Sequence, residues 1–284
     1  MKKFLLAITA VAVLVGTTGV VLHFRNHPPL PAASGRYVAL GDSVAAGLGL
    51  DTKNNASSRS TANPCGRTNE SYPTFIAKTL KLQLTSYACS GATTANLTGP
   101  NNVTSPALPA QLDAVFASDL ATPKLITLTI GANDAHWAEL IRACFSDDCT
   151  ASRYVALADS YLNTLSANLA SALDGIKTRS HGTPPTVVVT GYYSPASSDC
   201  NQNFKAITPA EIAWVQNESS KLNTVIKEAA AQQNFTKYVA IDFGDHSICS
   251  RTPWVQGLLD PAPLHPTVAG QTVIANSIVA ALQK

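Results

Sequence analysis

Charge is scarce in this chain. Of its 284 residues, 13% are Asp, Glu, Lys or Arg, the formal net charge is +2, and no acidic or basic block stands out. Surfaces that bind polyanions need clustered Lys and Arg, so no nucleic acid is expected as a partner. Metal ligands are equally thin: there is no CxxC pair, and no two histidines of the folded part stand at ligand spacing. No metal and no other cofactor is therefore expected. Aromatic residues are few, with three Trp and eight Phe, and no contiguous aromatic patch declares a lipid preference. Nor is there an internal repeat. What the chain has in quantity is apolar: at 45% hydrophobic residues it can bury the core of one large domain.

Lys2 and Lys3 precede an uncharged, mostly apolar run from Phe4 to Leu22, the pattern of an address segment. At about 19 residues it approaches the roughly 20 that a spanning helix needs. Gly16, Thr17, Thr18 and Gly19 weaken its centre, and Ala32, Ala33 and Ser34 offer a peptidase a site. Residues 1–27 thus read as a signal peptide or a membrane anchor, 28–35 as a proline-rich linker, and 36–284 as the folded domain. Either reading leaves that domain outside the cytoplasm, secreted or tethered, with membrane contact only through the N-terminal segment. The domain is expected as a monomer. The six cysteines form an even set in a chain with an export signal, which argues for disulfides. Their order along the chain suggests Cys65 with Cys89, Cys144 with Cys149, and Cys200 with Cys249.

Five short β-rich runs follow the linker: Tyr37–Leu40, Leu82–Ala88, Leu125–Ile130, Thr186–Thr190 and Tyr238–Ile241. None alternates strictly, which predicts strands buried on both faces. Helical stretches separate them, at Tyr72–Leu80, Tyr154–Lys177 and Pro209–Gln233, and a last one spans Pro266–Leu282. Thr208 and Glu211 frame Pro209 as a capping box. Strands alternating with helices predict a parallel sheet covered on both faces, with ligands at the strands' carboxyl ends. The polar stretch from Asp51 to Asn69 is too long for an ordinary connection and reads as a disordered or a binding loop.

The residues that carry chemistry stand at those carboxyl ends. Tyr37-Val-Ala-Leu-Gly-Asp-Ser43 runs from a strand straight into a serine, where α/β enzymes keep nucleophiles; a serine there also suits a helix cap. The absence of a GxSxG elbow argues against an ordinary α/β-hydrolase. Gly91, in Ala88-Cys-Ser-Gly-Ala-Thr-Thr94, can turn the backbone and aim its N–H at a reacting oxygen. Asn133, in Gly131-Ala-Asn-Asp134, has a side-chain amide placed to complete an oxyanion hole, although Gly91 and Asn133 are each also ordinary turn residues. His265, in Asp260-Pro-Ala-Pro-Leu-His-Pro266, opens the last helix. The positive end of the dipole there favours a neutral imidazole that accepts a proton.

Together these blocks resemble the SGNH, or GDSL, hydrolase family, which contributes serine, glycine, asparagine and histidine in this chain order. The resemblance spans roughly residues 36–284. VALGDS, PCGRTNESYP (64–73), ACSGATT (88–94) and the six cysteines look more narrowly like secreted three-disulfide lipases and esterases of actinobacterial type. It implies a single flavodoxin-like, three-layer α/β/α domain with a central parallel five-stranded sheet, covalent acyl-enzyme chemistry and no metal. It implies Ser43 as nucleophile and first oxyanion donor, Gly91 and Asn133 as the other donors, and His265 as general base. The family's usual aspartate three residues before the histidine is replaced here by Ala262. The Ala262 backbone carbonyl, or Asp260, is then the expected orienter of the imidazole. The substrate class implied is a carboxylic ester: a lipid, an acylated glycan or a small ester. Acyl transfer or deacetylation on a glycan or lipid, and an inactive glycan- or lipid-binding module, are the alternatives.

Overall fold

A computed structural model describes residues 35–50, 59–102, 106–117, 120–200 and 207–284. The expected signal or anchor, nearly all of the linker and the first part of the polar loop, 51–58, lie outside the described residues. The described residues belong to one unit that begins at Ala32.

Strand β1 (Arg36–Gly41) is the hub of the sheet. Tyr37, Val38, Ala39 and Leu40 are all fully buried, which accounts for the missing polar alternation: a strand covered on both faces has no solvent side. β1 pairs in parallel with β2 (Gln83–Ser86) on one edge and with β3 (Leu125–Thr129) on the other. Beyond β3 come β4 (Thr186–Thr190) and β5 (Thr236–Val239), again parallel, giving the order β2-β1-β3-β4-β5. The expected burial on both faces holds for the three inner strands. The edge strands β2 and β5 are half-exposed along much of their length, since they lie at the margin of the helical layers.

The strand order reverses direction after β2, and right-handed crossovers then place helices on both faces. Helix α1 (Ser43–Ala46) is a single turn. Helix α2 (Tyr72–Leu80), the β1 to β2 crossover, packs against the C-terminal helix α8 (Val268–Leu282). Two short helices, α3 (Ala95–Thr98) and α4 (Gln111–Val115), lead into β3. Helix α5 (Trp137–Ser146) precedes the long α6 (Ser152–Arg179), and α6 pairs with α7 (Pro209–Ala231). This is the α/β/α architecture in flavodoxin-like order. The capping box at Thr208 is formed: its side chain accepts the Glu211 N–H while the Glu211 carboxylate accepts the Thr208 N–H at 2.7 Å. Such a cap contributes about 1 kcal/mol.

The three disulfides join Cys65 to Cys89, Cys144 to Cys149 and Cys200 to Cys249. The first lies in the sheet core. The other two belong to a smaller apolar cluster at the carboxyl edge, built by α5, the start of α6, the segment around Ile207–Val215, Ile248 and Leu264. Helix α5 went unread in the sequence because its lead-in, Gly131-Ala-Asn-Asp, is turn chemistry and because His136 before it takes a left-handed φ of 48°. Together with the β1/β3 switch point, this cluster frames the site.

Candidate active site

β1 ends in a residue that only glycine fits. Gly41 has φ 122°, and a Cβ there would lie 2.0 Å from the Thr129 carbonyl oxygen. The strand therefore hugs β3 to its last residue before the chain turns away. Gln111 on α4 holds both sides of this peptide, accepting the Gly41 N–H at 2.8 Å and donating to its carbonyl at 2.9 Å. Asp42 is the N-cap of α1: its carboxylate accepts the Val44 N–H at 2.9 Å. The Tyr192 hydroxyl donates to the same carboxylate and accepts the Ala132 N–H at 3.2 Å. Burial pushes the Asp42 pKa up to about 7, the Tyr192 and Val44 hydrogen bonds only partly offsetting it. Ser43 is thereby fixed at the first position of a capped turn at the sheet's switch point, where α/β folds open a crevice.

His265 meets it. Nε2 of the imidazole lies 2.7 Å from Ser43 Oγ, and Nδ1 lies 3.0 Å from the Pro263 carbonyl. A carbonyl only accepts, so Nδ1 carries the ring proton and Nε2 presents its lone pair to the serine hydroxyl. The sequence pointed to the Ala262 carbonyl or to Asp260 in this place; the Pro263 carbonyl takes the Nδ1 hydrogen bond, the Ala262 carbonyl is near enough to raise the imidazole pKa with it, and Asp260 lies elsewhere. The Ala262 carbonyl accepts the backbone N–H of His265 at 3.2 Å. Asp260 is exposed and accepts the Gly257 N–H at 2.6 Å. The reason is local: Leu264 adopts φ 70°, a left-handed conformation rare for leucine, and this turn brings the ring back over Pro263.

The turn is held from outside. The Tyr193 hydroxyl donates to the Leu264 carbonyl at 2.7 Å. Gln256, buried, pairs its backbone with Leu264 and His265. Its side chain donates to the carbonyls of Leu48 and Pro266 at 3.0 and 3.1 Å and accepts the Ala262 N–H at 3.2 Å. Desolvation of the imidazole lowers its pKa from the usual 6.5; the carbonyls of Pro263 and Ala262 pull the other way, and the charge of Arg142 adds a smaller lowering.

Asn133 follows β3 and donates through Nδ2 to the Ala92 carbonyl at 2.8 Å, which leaves the second amide hydrogen free to point elsewhere. Its neighbour Asp134 accepts the Thr94 N–H and hydroxyl. These bonds fasten the Asn133 turn to the turn holding Gly91, which has φ 86°. Among the described residues no group accepts the backbone N–H of Gly91 or of Ser43. The described part of the polar loop belongs to this assembly. Thr68 bonds the Ala46 carbonyl at 2.9 Å, Arg67 bonds the Ala88 carbonyl at 2.7 Å, and Ser90 bonds the Cys65 carbonyl.

Ser43, Asn133 and His265 line one small cavity of about 70 Å³, walled by Trp137 and Ile141 of α5 and by Tyr193 and Leu264. Gly91 lies outside that lining. A sequence model of the GDSL-like lipase/acylhydrolase family matches residues 39–273. The chain belongs to this family. It is a carboxylic ester hydrolase of the GDSL type. Among curated relatives, Lipase 1 of Streptomyces coelicolor is 30% identical over 251 residues, covering 85% of this chain and 84% of its own length. A lipase of Streptomyces rimosus is 29% identical over 244 residues, covering 83% and 82%. The crystal structure of an extracellular lipase from S. rimosus superposes with a TM-score of 0.69 at 27% identity, over 88% of this chain and all of that one. A phospholipase A1 from Streptomyces albidoflavus gives 0.67 at 26%, with the same coverage. Within this GDSL scaffold the residues unread in the sequence are Tyr192, Tyr193, Gln256 and Pro263. The two tyrosines follow β4, so the rule that found Ser43, Gly91 and Asn133 at strand ends reaches them too. Gln256 carries no local signal.

Proposed function

We propose that this chain is an exported serine esterase or lipase whose Ser43 forms an acyl-enzyme, with His265 as its general base and the Pro263 carbonyl in place of a triad carboxylate. The observation that carries this reading is the 2.7 Å approach of His265 Nε2 to Ser43 Oγ while Nδ1 faces a backbone carbonyl. His265 takes the hydroxyl proton as Oγ attacks the ester carbonyl carbon. The resulting oxyanion is held by the N–H groups of Ser43 and Gly91 and by the free amide hydrogen of Asn133. The imidazolium then gives its proton to the leaving alcohol, and water attacks the acyl-enzyme by the same route in reverse order. The carbonyl dipole of Pro263 stabilises the transient imidazolium, in the role a carboxylate plays in a triad. Tyr192 and Gln111 act through Asp42 and Gly41, holding the serine, and Tyr192 also lines the cavity at Ser43.

Residues 36–284 form the catalytic domain in this reading, and residues 1–27 serve as a signal or an anchor. Export is supported by the N-terminal pattern, by the three disulfides and by kinship with a lipase described as extracellular. Among the described residues no helix is long and apolar enough to cross a membrane. The test is paired. A fluorophosphonate probe should label the wild-type protein on Ser43 by peptide mass mapping, and Ser43→Ala should lose hydrolysis of p-nitrophenyl acetate by several orders of magnitude. Retention of more than a few per cent of wild-type turnover by a folded Ser43→Ala protein would refute the nucleophile.

A further inference from the structure

The hydrogen-bond ladder between β1 and β3 ends where the Asp42 N–H donates to the Thr129 carbonyl at 3.0 Å. Ser43 lies one residue beyond that bond on one strand and Asn133 four residues beyond it on the other, so the sheet itself places neither side chain. Each turn has its own supports. The Ser43 carbonyl accepts the Gly47 and Leu48 N–H groups at 3.0 and 3.1 Å, Asp42 caps Val44, and Gln271 donates to the Val44 carbonyl at 2.9 Å. The Asn133 turn is closed on itself: the Gly131 carbonyl accepts the Ala135 N–H, and the Ala132 carbonyl accepts the Trp137 N–H. Asp134 accepts the Thr94 N–H at 3.0 Å and the Asn133 amide donates to Ala92, which fasten that turn on its far side. These bonds shape each turn but leave open the spacing between Ser43 Oγ and the Asn133 amide.

Among the described residues, the hydrogen bonds that cross from one turn to the other beyond the ladder pass through one oxygen. The Tyr192 hydroxyl donates to the Asp42 carboxylate and accepts the Ala132 N–H at 3.2 Å. It thus holds the residue before Ser43 and the residue before Asn133. Burial and the charge of Asp42 push the phenol pKa well above its ordinary value, so the hydroxyl keeps the proton it donates. The phenol is itself rooted. Tyr192 is 4% exposed, and Asn223 of α7 accepts its N–H and donates to its carbonyl, both at 2.7 Å. Gly191 permits that approach, since a Cβ there would lie 2.6 Å from Asn223 Oδ1. One oxygen fixed against β4 and α7 therefore carries both turns.

We propose that Tyr192 is a positioning residue for the oxyanion donor: by holding Asp42 and Ala132 on one hydroxyl, it sets the distance at which the Asn133 amide meets the charge that develops when Ser43 attacks. The inference rests on the reading of Ser43 and Asn133 given above. Because the Ser43 turn keeps its other supports, loss of the hydroxyl falls mainly on Asn133. Tyr192→Phe keeps the ring that lines the cavity and removes only the oxygen. On p-nitrophenyl acetate its kcat should fall about ten- to a hundredfold, the cost of a misplacement near 1 Å, with KM within about twofold of wild type. A double-mutant cycle with Asn133→Ala separates positioning from general loosening: the Tyr192→Phe loss should shrink to less than about threefold once the amide it positions is gone. Asn223→Ala, which leaves the hydroxyl but loosens its root, should show the same pattern to a lesser degree, and it carries the test if Tyr192→Phe does not fold. An unchanged kcat in the folded variants, or a raised KM with kcat intact, would overturn the proposal. So would equal losses with and without the Asn133 amide, which would give Tyr192 an effect that does not pass through it. Asn133→Ala alone reads the oxyanion donor: an unchanged kcat there overturns that reading and the positioning role with it, whereas additive losses overturn the positioning role alone.

Discussion

At the scale of single residues, the imidazole of His265 is set between two opposing influences. Desolvation in the apolar wall keeps it neutral, whereas the carbonyls of Pro263 and Ala262 stabilise its cation, and desolvation wins. In the proposed role of general base His265 is active when unprotonated, so a lowered pKa extends activity toward acid: the acidic limb of kcat/KM should have its midpoint below 6.5, the ordinary imidazole value. Arg142, exposed on α5, contributes to that lowering by charge alone. Arg142→Gln should therefore move the limb to higher pH, and the difference from wild type should shrink as salt screens the charge. A limb that moves down in the variant, measured at low ionic strength, would contradict this electrostatic account. The meeting of Ser43 with His265 was legible in the sequence because a serine at a strand end and a histidine close before the last helix are positional signals, although that helix begins at Val268 with Thr267 as its cap and not at Pro266. The carbonyl that faces Nδ1 was not. Its identity depends on the left-handed turn at Leu264, a conformation that no residue preference announces.

At the scale of elements, the site consists of turns bolted to strand ends by side chains from distant parts of the chain. Gln271 of α8 accepts the Tyr72 N–H at the start of α2 and donates to the Val44 carbonyl of α1, so the two helices of one layer grip the Ser43 turn between them. Gln256 does the same for the loop that carries His265. Gln256→Ala would strand the carbonyls of Leu48 and Pro266 and the Ala262 N–H, at about 1–3 kcal/mol for a buried group left unpaired. A loosened loop displaces the imidazole, and a shift near 1 Å costs about 10²-fold in rate. The variant should melt lower and lose between about ten- and a hundredfold in kcat with KM little changed; a normal kcat would show that the Val255–Pro266 bridge and Tyr193 hold the loop without it. The five strands and four principal helices were readable because short apolar β-rich runs and longer helical stretches alternate along the chain, with side-chain caps at Thr208 and Thr267 opening two of the helices; only β5 lies two residues before the expected Tyr238–Ile241. α5 was not, since its ten residues follow a turn and half of them face a small cluster rather than the sheet.

At the scale of the whole molecule, three disulfides close loops of very different length, with separations of 24, 5 and 49 residues. Loop-closure entropy then ranks them, at about 4 kcal/mol for Cys200–Cys249, roughly 3.5 for Cys65–Cys89 and about 2 for Cys144–Cys149. Paired Cys→Ala variants should follow that order in stability measured by urea melts. Activity should follow a different order, because Cys65–Cys89 ties the Arg67–Thr68 segment to the turn that presents Gly91; equal activity in all three double variants would count against that coupling. The sheet, the crossovers and the disulfides thus serve one arrangement, a serine and a histidine from opposite ends of the domain joined over 222 residues of sequence and completed by a backbone carbonyl. The most direct test is kcat/KM of Asp260→Asn on p-nitrophenyl acetate, beside His265→Ala. A dyad oriented by Pro263 predicts that Asp260→Asn stays within a few-fold of wild type while His265→Ala is nearly inactive. A drop approaching 10⁴-fold in an Asp260→Asn protein that melts normally, the loss seen when a triad carboxylate is removed, would contradict it.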